Sequence, residues 1–267
     1  MKMSLSRASD LRILAAVAHP DDMEFMMAGT LMRLHEAGSE IHLWNLSKGD
    51  CGSEVQGAEE IAAIRLREAR DAAKVLGAAH HLPLFNDLGI FYDRASLAQV
   101  AARIREIQPD VILTHSPEDY MEDHQNTCRL IVSAAFSRGM PNFRTNPLRQ
   151  ASAKPMAVYH ALPHGLKGAT RNVIRSHFFV DIGSCMPAKQ KMLECHQSQL
   201  EWLSASQGMG SYVEEMRVLS RAMGAQSGRF EFAEGWRRHS HLGFATEDFD
   251  SVCELLHDHC VETNGGG

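Results

Sequence analysis

Two short stretches of this chain concentrate side chains able to bind a cation and move a proton. The first is His19-Pro20-Asp21-Asp22-Met23-Glu24, and the second runs from His115 through Glu118, Asp119, Tyr120, Met121, Glu122 and Asp123 to His124. A histidine and an aspartate separated by two residues can face one ion from a tight turn, because Pro20 fixes the local backbone and a helix begins just after it. His19 and Asp22 form that pair, and a third ligand has to come from the other stretch, where His124 opens a helix. Two imidazoles and one carboxylate leave a coordination position free for water, the donor set of a catalytic rather than a structural zinc. Asp21 then stands beside the ion without being needed as a ligand, where a general base acts. Taken alone, His19 and the aspartates also read as a cap on the helix that starts near Asp22; the second stretch favours the metal.

These stretches need a frame. Arg12 to Ala18 is a short apolar run of the kind found in a buried parallel strand, and the His-Pro-Asp-Asp turn follows it directly. A single helix is expected from Asp22 to Ala37, stopped by Gly38. Further strands are expected at Ile41–Leu46, His81–Phe85, Val111–Thr114, Met156–His160 and His177–Asp181. Helices fall at Ala58–Leu76, Ser96–Ile107, Asp123–Phe136, Ala188–Leu203 and Tyr212–Met223. Strands alternating with helices predict a Rossmann-like, doubly wound, mostly parallel sheet with helices on both faces. Ligands of such sheets sit at the carboxyl ends of the strands, where strand order reverses, and the two metal-capable stretches both follow strand ends. Arg138 to Pro155 lacks apolar period and reads as a surface excursion. Regularity fades beyond about residue 225, and 262–267, ending in three glycines, reads as a disordered tail of one 267-residue domain.

Composition narrows the field. With 44% hydrophobic and 22% charged residues the chain is ordinary for a globular protein. A net charge of −6 and scattered Lys and Arg argue against nucleic acid. The apolar run Ile13 to Ala18 is too short to span a membrane or to serve as a signal-peptide core, so the chain reads as cytoplasmic. Six cysteines without a C-x-x-C pair read as reduced and mostly buried. Fifteen histidines are the compositional excess, and they direct attention to metal and acid/base chemistry. A dinucleotide enzyme is disfavoured, because the first loop carries His-Pro-Asp-Asp in place of G-x-G-x-x-G and its carboxylates would repel a pyrophosphate.

The run Ala18-His19-Pro20-Asp21-Asp22-Met23-Glu24 resembles the signature of the LmbE/PIG-L family of zinc-dependent N-acetyl sugar deacetylases, which includes enzymes of the mycothiol and bacillithiol pathways. The resemblance continues through Arg65-x-x-Glu68-Ala69, Asp87, the Asp119–His124 loop and His196-x-Ser198-Gln199, up to about residue 235. It implies an LmbE-like fold, one Zn2+ held by His19, Asp22 and His124, and Asp21 as catalytic base. Arg65 and Asp87 would then line the pocket of a small amino-sugar substrate of the N-acetylglucosamine type, in a chain that could also assemble with copies of itself. One position departs from the pattern. Many relatives read D-x-H-P-D-H in the second loop, with the first histidine serving the oxyanion or the leaving amine and an aspartate, here Asp123, orienting it. Met121 stands in that histidine's place, and a thioether donates no proton. His115, Tyr120, His239 and His241 are the candidate replacements. If none serves, the alternative is a catalytically impaired, metal-containing carbohydrate-binding protein of the same fold. The run His257-Asp258-His259-Cys260 could also bind metal, but reads more simply as a polar helix end.

Overall fold

The computed structural model describes residues 11–207 and 212–263; the glycine tail lies outside them. Five strands form a parallel half-sheet: β1 (Arg12–Val17), β2 (Glu40–Asn45), β3 (Ala79–His81), β4 (Val111–Thr114) and β5 (Ala157–Ala161). The sheet continues through β6 (Phe178–Asp181), β7 (Ala233–Arg238) and β8 (Cys260–Glu262), in the order β3-β2-β1-β4-β5-β7-β6-β8. β1 pairs with β2 on one side (Ile13↔Ile41) and with β4 on the other (Ala15↔Leu113), both parallel. The reversal of strand order therefore lies between β1 and β4, the place where an open α/β sheet leaves a crevice at its strand ends.

Helices cover both faces. Along β1, Ile13, Ala15 and Val17 point to one face and Leu14 and Ala16 to the other, and both sets are fully buried. On the first face pack α2 (Ala28–Glu36), α3 (Ala58–Leu76), α6 (Met186–Glu194) and α8 (Tyr212–Ser227), through Leu31, Ala72, Met192 and Met216. On the second pack α4 (Arg94–Ile107) and α5 (Glu122–Ser137), through Val100, Ile104, Leu130 and Ile131. A strand buried on both faces is uniformly apolar, which is why the run before His19 shows no alternation. No helix among the described residues is long and apolar enough to cross a membrane.

Three departures from the sequence expectation have tertiary causes. The helix expected over Asp22–Ala37 is two, α1 (Asp22–Met26) and α2, broken at Met27 with φ −142°. Glu234 of β7 accepts the amides of Gly29 (2.9 Å) and Thr30 (2.7 Å), so a carboxylate from the far end of the chain caps the new helix. Gly29 is required there, because a Cβ would lie 2.5 Å from Ile182. Likewise the expected Ala188–Leu203 helix is α6 and α7 (Gln197–Gln207), and the break buries His196 at 3.4 Å from Glu24. Where regularity fades beyond residue 225, β7 nevertheless lies inside the sheet, antiparallel to both β5 and β6. Its residues, AEGWRR, lack clean alternation because Glu234 is buried as an ion-pair partner of Lys189 at 2.5 Å. The strand expected at His81–Phe85 lies earlier, at β3, and shares only His81 with it; Phe85 forms an isolated bridge to Ser47. All six cysteines are free, but Cys128 and Cys185 alone are buried, fewer than expected. His257–His259 is an exposed 3-10 turn leading into β8.

Candidate metal centre and substrate cavity

Loops at the carboxyl ends of the five parallel strands enclose one cavity of about 410 Å³. The loop after β1 supplies His19, Asp21 and Asp22; the loop after β2 supplies Cys51 and Gly52. Asp87 and Leu88 follow β3, Tyr120, Met121, Asp123 and His124 follow β4, and His164 follows β5. Phe25, Met26, Arg65, Gln199, Trp202, Leu203 and Tyr212 complete the wall from the surrounding helices.

One ligand atom each from His19, Asp22 and His124 lies within 4.8 Å of the others, the spread of donors around a single ion. Asp22 is the hub. Its Oδ2 accepts the His19 backbone N–H at 2.7 Å and lies 3.5 Å from His19 Nδ1, and its Oδ1 lies 3.3 Å from His124 Nε2. The outward nitrogen of each ring meets another carboxylate: His19 Nε2 is 3.1 Å from Asp123 Oδ2, and His124 Nδ1 is 3.2 Å from Asp119 Oδ2. A metal-bound imidazole is held in this way, one nitrogen inward and the other donating to a carboxylate that fixes the tautomer. Neither nitrogen of the buried His124 has a hydrogen bond of good geometry, so packing alone does not satisfy this ring. The donor set fits a divalent cation.

The electrostatics point the same way. Burial pulls the His19 imidazole down, but Asp123 and Asp22 together outweigh it and lift its pKa to about 9. Burial likewise opposes, and Asp22 and Asp119 overcome, in raising His124 to about 10. Burial would raise Asp22, yet the imidazoles around it hold it well below the usual carboxylate range. Without a cation, protons occupy the positive end of this cluster, and a metal would displace them.

Asp21 differs from its neighbour. Burial pushes its carboxyl up to about 7, only partly opposed by Arg65, whose Nη2 is 3.4 Å from Asp21 Oδ1. Its backbone is left-handed, with φ 97°, which few non-glycine residues adopt. The Asp21 carbonyl accepts the Phe25 amide at 3.0 Å, starting α1 and holding this strained turn.

Arg65, buried, donates to the Pro20 carbonyl at 2.7 Å and the Gly49 carbonyl at 3.3 Å. A Cβ on Gly49 would fall 2.5 Å from its guanidinium, and Gly49 has φ +74°, so glycine is required on both counts. Asp87 faces the cavity, but its oxygens accept the Ser47 hydroxyl and the Gly49 and Cys51 amides, so it clamps the loop after β2. The helical motif and the later one meet, since Glu68 accepts both the amide and the hydroxyl of Ser198. Gln199 reaches the wall.

Asp123, expected to orient a histidine at position 121, has other clients: His19 and the Leu88 amide, 2.7 Å away. His115 lies behind the ligands, fully buried, stacked on His124 at 4.0 Å, with Nε2 accepting the Ala18 amide at 2.8 Å. His115, Asp119 and His124 also cluster at metal-binding distances, but His115 and Asp119 do not line the cavity, so water reaches the first set instead. His239 and His241 line depressions elsewhere. The cavity's aromatic wall and His164 carry no sequence signal, because their positions follow from strand order and not from local spacing.

The fold and the His/Asp centre agree with what the comparisons find: the family model PIG-L, described as GlcNAc-PI de-N-acetylase, matches residues 14–135 of this chain. A diacetylchitobiose deacetylase of Thermococcus kodakarensis is 26% identical over 254 residues, covering 92% of this chain and 87% of that one. Several solved structures share the fold, two of them over most of this chain. N,N'-diacetylchitobiose deacetylase from Pyrococcus horikoshii superposes with a TM-score of 0.72 at 23% identity, over 90% of this chain and 88% of that one. GalB, the 4-carboxy-2-hydroxymuconate hydratase from Pseudomonas putida KT2440, has the same TM-score at 22% identity, over 90% and 100%.

Proposed function

We propose that this chain hydrolyses the N-acetyl group of an amino-sugar conjugate, with Zn2+ held by His19, Asp22 and His124 and with Asp21 as general base. The observation that carries this reading is the pairing of a converged two-histidine, one-aspartate set with an adjacent buried carboxyl whose pKa stands at about 7. When bound, zinc supplies a Lewis acid that polarises the acetamide carbonyl and makes water more acidic. Asp123 bonds the outward nitrogen of His19 and Asp119 lies beside that of His124, an arrangement that presents the other nitrogens inward. The Asp21 carboxylate takes a proton from the attacking water, and a base with pKa near neutrality is matched to that transfer. Arg65 ties Asp21 to the Pro20 and Gly49 carbonyls, so the base and the rim of the cavity move as one. Phe25 and Tyr212, stacked with ring centroids 4.7 Å apart, join Trp202 in an apolar wall suited to a sugar face and able to limit water.

The family fold also carries a hydratase whose name places a carboxylate on its substrate, so fold alone does not choose the reaction. Charge does. Asp21, Asp22, Asp87 and Asp123 line this cavity, and Arg65 is the single Arg or Lys among its described lining residues, already engaged by backbone carbonyls and Asp21. An uncharged acetamido sugar suits this wall better than a polycarboxylate.

Asp21→Asn tests the assignment of roles. It should retain the metal and lose nearly all acetate release. Wild-type turnover in this variant, with the metal bound, refutes the base assignment.

A further inference from the structure

The second loop lacks the histidine that the D-x-H-P-D-H pattern places there. Met121 lines the cavity in its place, and Asp123 is engaged by His19 and Leu88. Amide hydrolysis requires the leaving nitrogen to gain a proton, because an amide anion is too basic to depart. Several lining groups bear protons. Burial pushes the Tyr120 and Tyr212 phenols upward, away from a useful acid. Burial and the nearby Asp87 raise the Cys51 thiol too. His19 and His124 face Asp22, and Asp21 serves the water.

His164 remains. It follows Pro163 beyond the carboxyl end of β5 and lines the cavity. Its ring packs at 5.0 Å from Phe25 and 6.2 Å from Tyr120, whose own ring is 6.1 Å from His124. Nε2 lies 3.1 Å from Glu215 Oε1, on α8. The Glu215 carboxylate therefore stands beside Nε2, without a hydrogen bond of good geometry there, and Nδ1 is the nitrogen left for substrate.

We propose that the His164–Glu215 pair supplies the catalytic acid of this site, replacing the imidazole displaced by Met121. The inference rests on the deacetylase reading above. In the step it assigns, water has added to the acetamide carbon and given one proton to Asp21. The carbon–nitrogen bond then breaks, its electron pair stays on nitrogen, and the His164 imidazolium donates the proton that completes the free amine. Asp21 and the released acetic acid then give up their protons to solvent, His164 recovers one from solvent, and acetate leaves.

The test compares purified wild type, His164→Gln and the double variant His164→Gln/Met121→His, each loaded with zinc, on an N-acetylated glucosamine conjugate that wild type cleaves. His164→Gln should lose roughly a hundredfold in kcat, the usual scale of acid catalysis, with KM changed little and with zinc content and Tm at wild-type values. The double variant should regain at least about tenfold, since it returns an imidazole to position 121. Unchanged kcat in His164→Gln overturns the proposal, and a double variant that regains nothing overturns the claim that the two positions share one role. Should His164→Gln lose zinc or fold poorly, Glu215→Gln is read instead: a fall of about tenfold in kcat supports the pair, and no fall overturns it. A wild type that releases acetate from no N-acetylated sugar refutes the underlying function instead and brings this proposal down with it.

Discussion

Asp21→Asn should make the metal-free protein more stable, and the gain should depend on pH. Asp21 is buried, and its pKa rises from 3.8 to about 7, so the folded state holds its proton more tightly than the unfolded chain does. A raised folded pKa gives stability that is complete below the unfolded value and is lost as pH climbs through the folded one. Asparagine mimics the protonated carboxyl at every pH. It also tolerates the left-handed backbone at this position better than most residues, so the φ of 97° adds little new strain. Each pH unit between the two pKa values is worth about 1.4 kcal/mol, so the advantage of Asn over Asp should widen by roughly 2 to 3 kcal/mol between pH 5 and pH 7, then level off. Arg65 keeps its contacts with the Pro20 and Gly49 carbonyls and limits the loss from the missing ion pair. Urea unfolding of both proteins in excess chelator, at half-unit pH steps, measures the difference. A gap that stays constant across this range refutes the raised pKa of Asp21.

Other consequences follow from the same contacts. Asp123→Asn, which weakens the carboxylate behind His19, should reduce zinc affinity by about ten- to a hundredfold, read by competition with a chromogenic chelator; unchanged affinity would separate Asp123 from the centre. Because His19 and His124 stand at about 9 and 10 without an ion, zinc uptake should release protons and weaken as pH falls from 8 to 6, which calorimetry in buffers of different ionisation enthalpy would detect. Glu234→Ala should destabilise the fold by about 3 to 5 kcal/mol, because it strands the buried Lys189 and uncaps α2; Lys189→Met combined with Glu234→Gln should recover much of that loss in denaturant melts.

The parallel half-sheet and the metal-capable residues were legible because their signals are local. Buried strands read as apolar runs, each ends at a loop, and His19, Asp21 and Asp22 sit inside one turn. The break at Met27 and the strand at β7 were not, since both depend on Glu234 meeting α2 and Lys189 across roughly 200 and 45 residues of chain. Asp87 shows a similar limit: its position after the third strand is legible, whereas its work as a clamp on Gly49 and Cys51 appears only when the two loops meet. His164 stayed hidden because a single histidine after Pro163 has no motif around it, and its partner Glu215 belongs to another helix.

Zinc titration into chelator-stripped protein, with acetate release from an N-acetylglucosamine conjugate followed at each addition, bears most directly on the central claim. Activity should be absent at the start, rise in proportion to added metal, and reach its plateau at about one zinc per chain, the number that a single cluster of three protein ligands accommodates. Zinc bound at one per chain with no acetate released from a panel of N-acetylated sugars would contradict it, and would leave a metal-containing carbohydrate-binding protein as the better description of this chain.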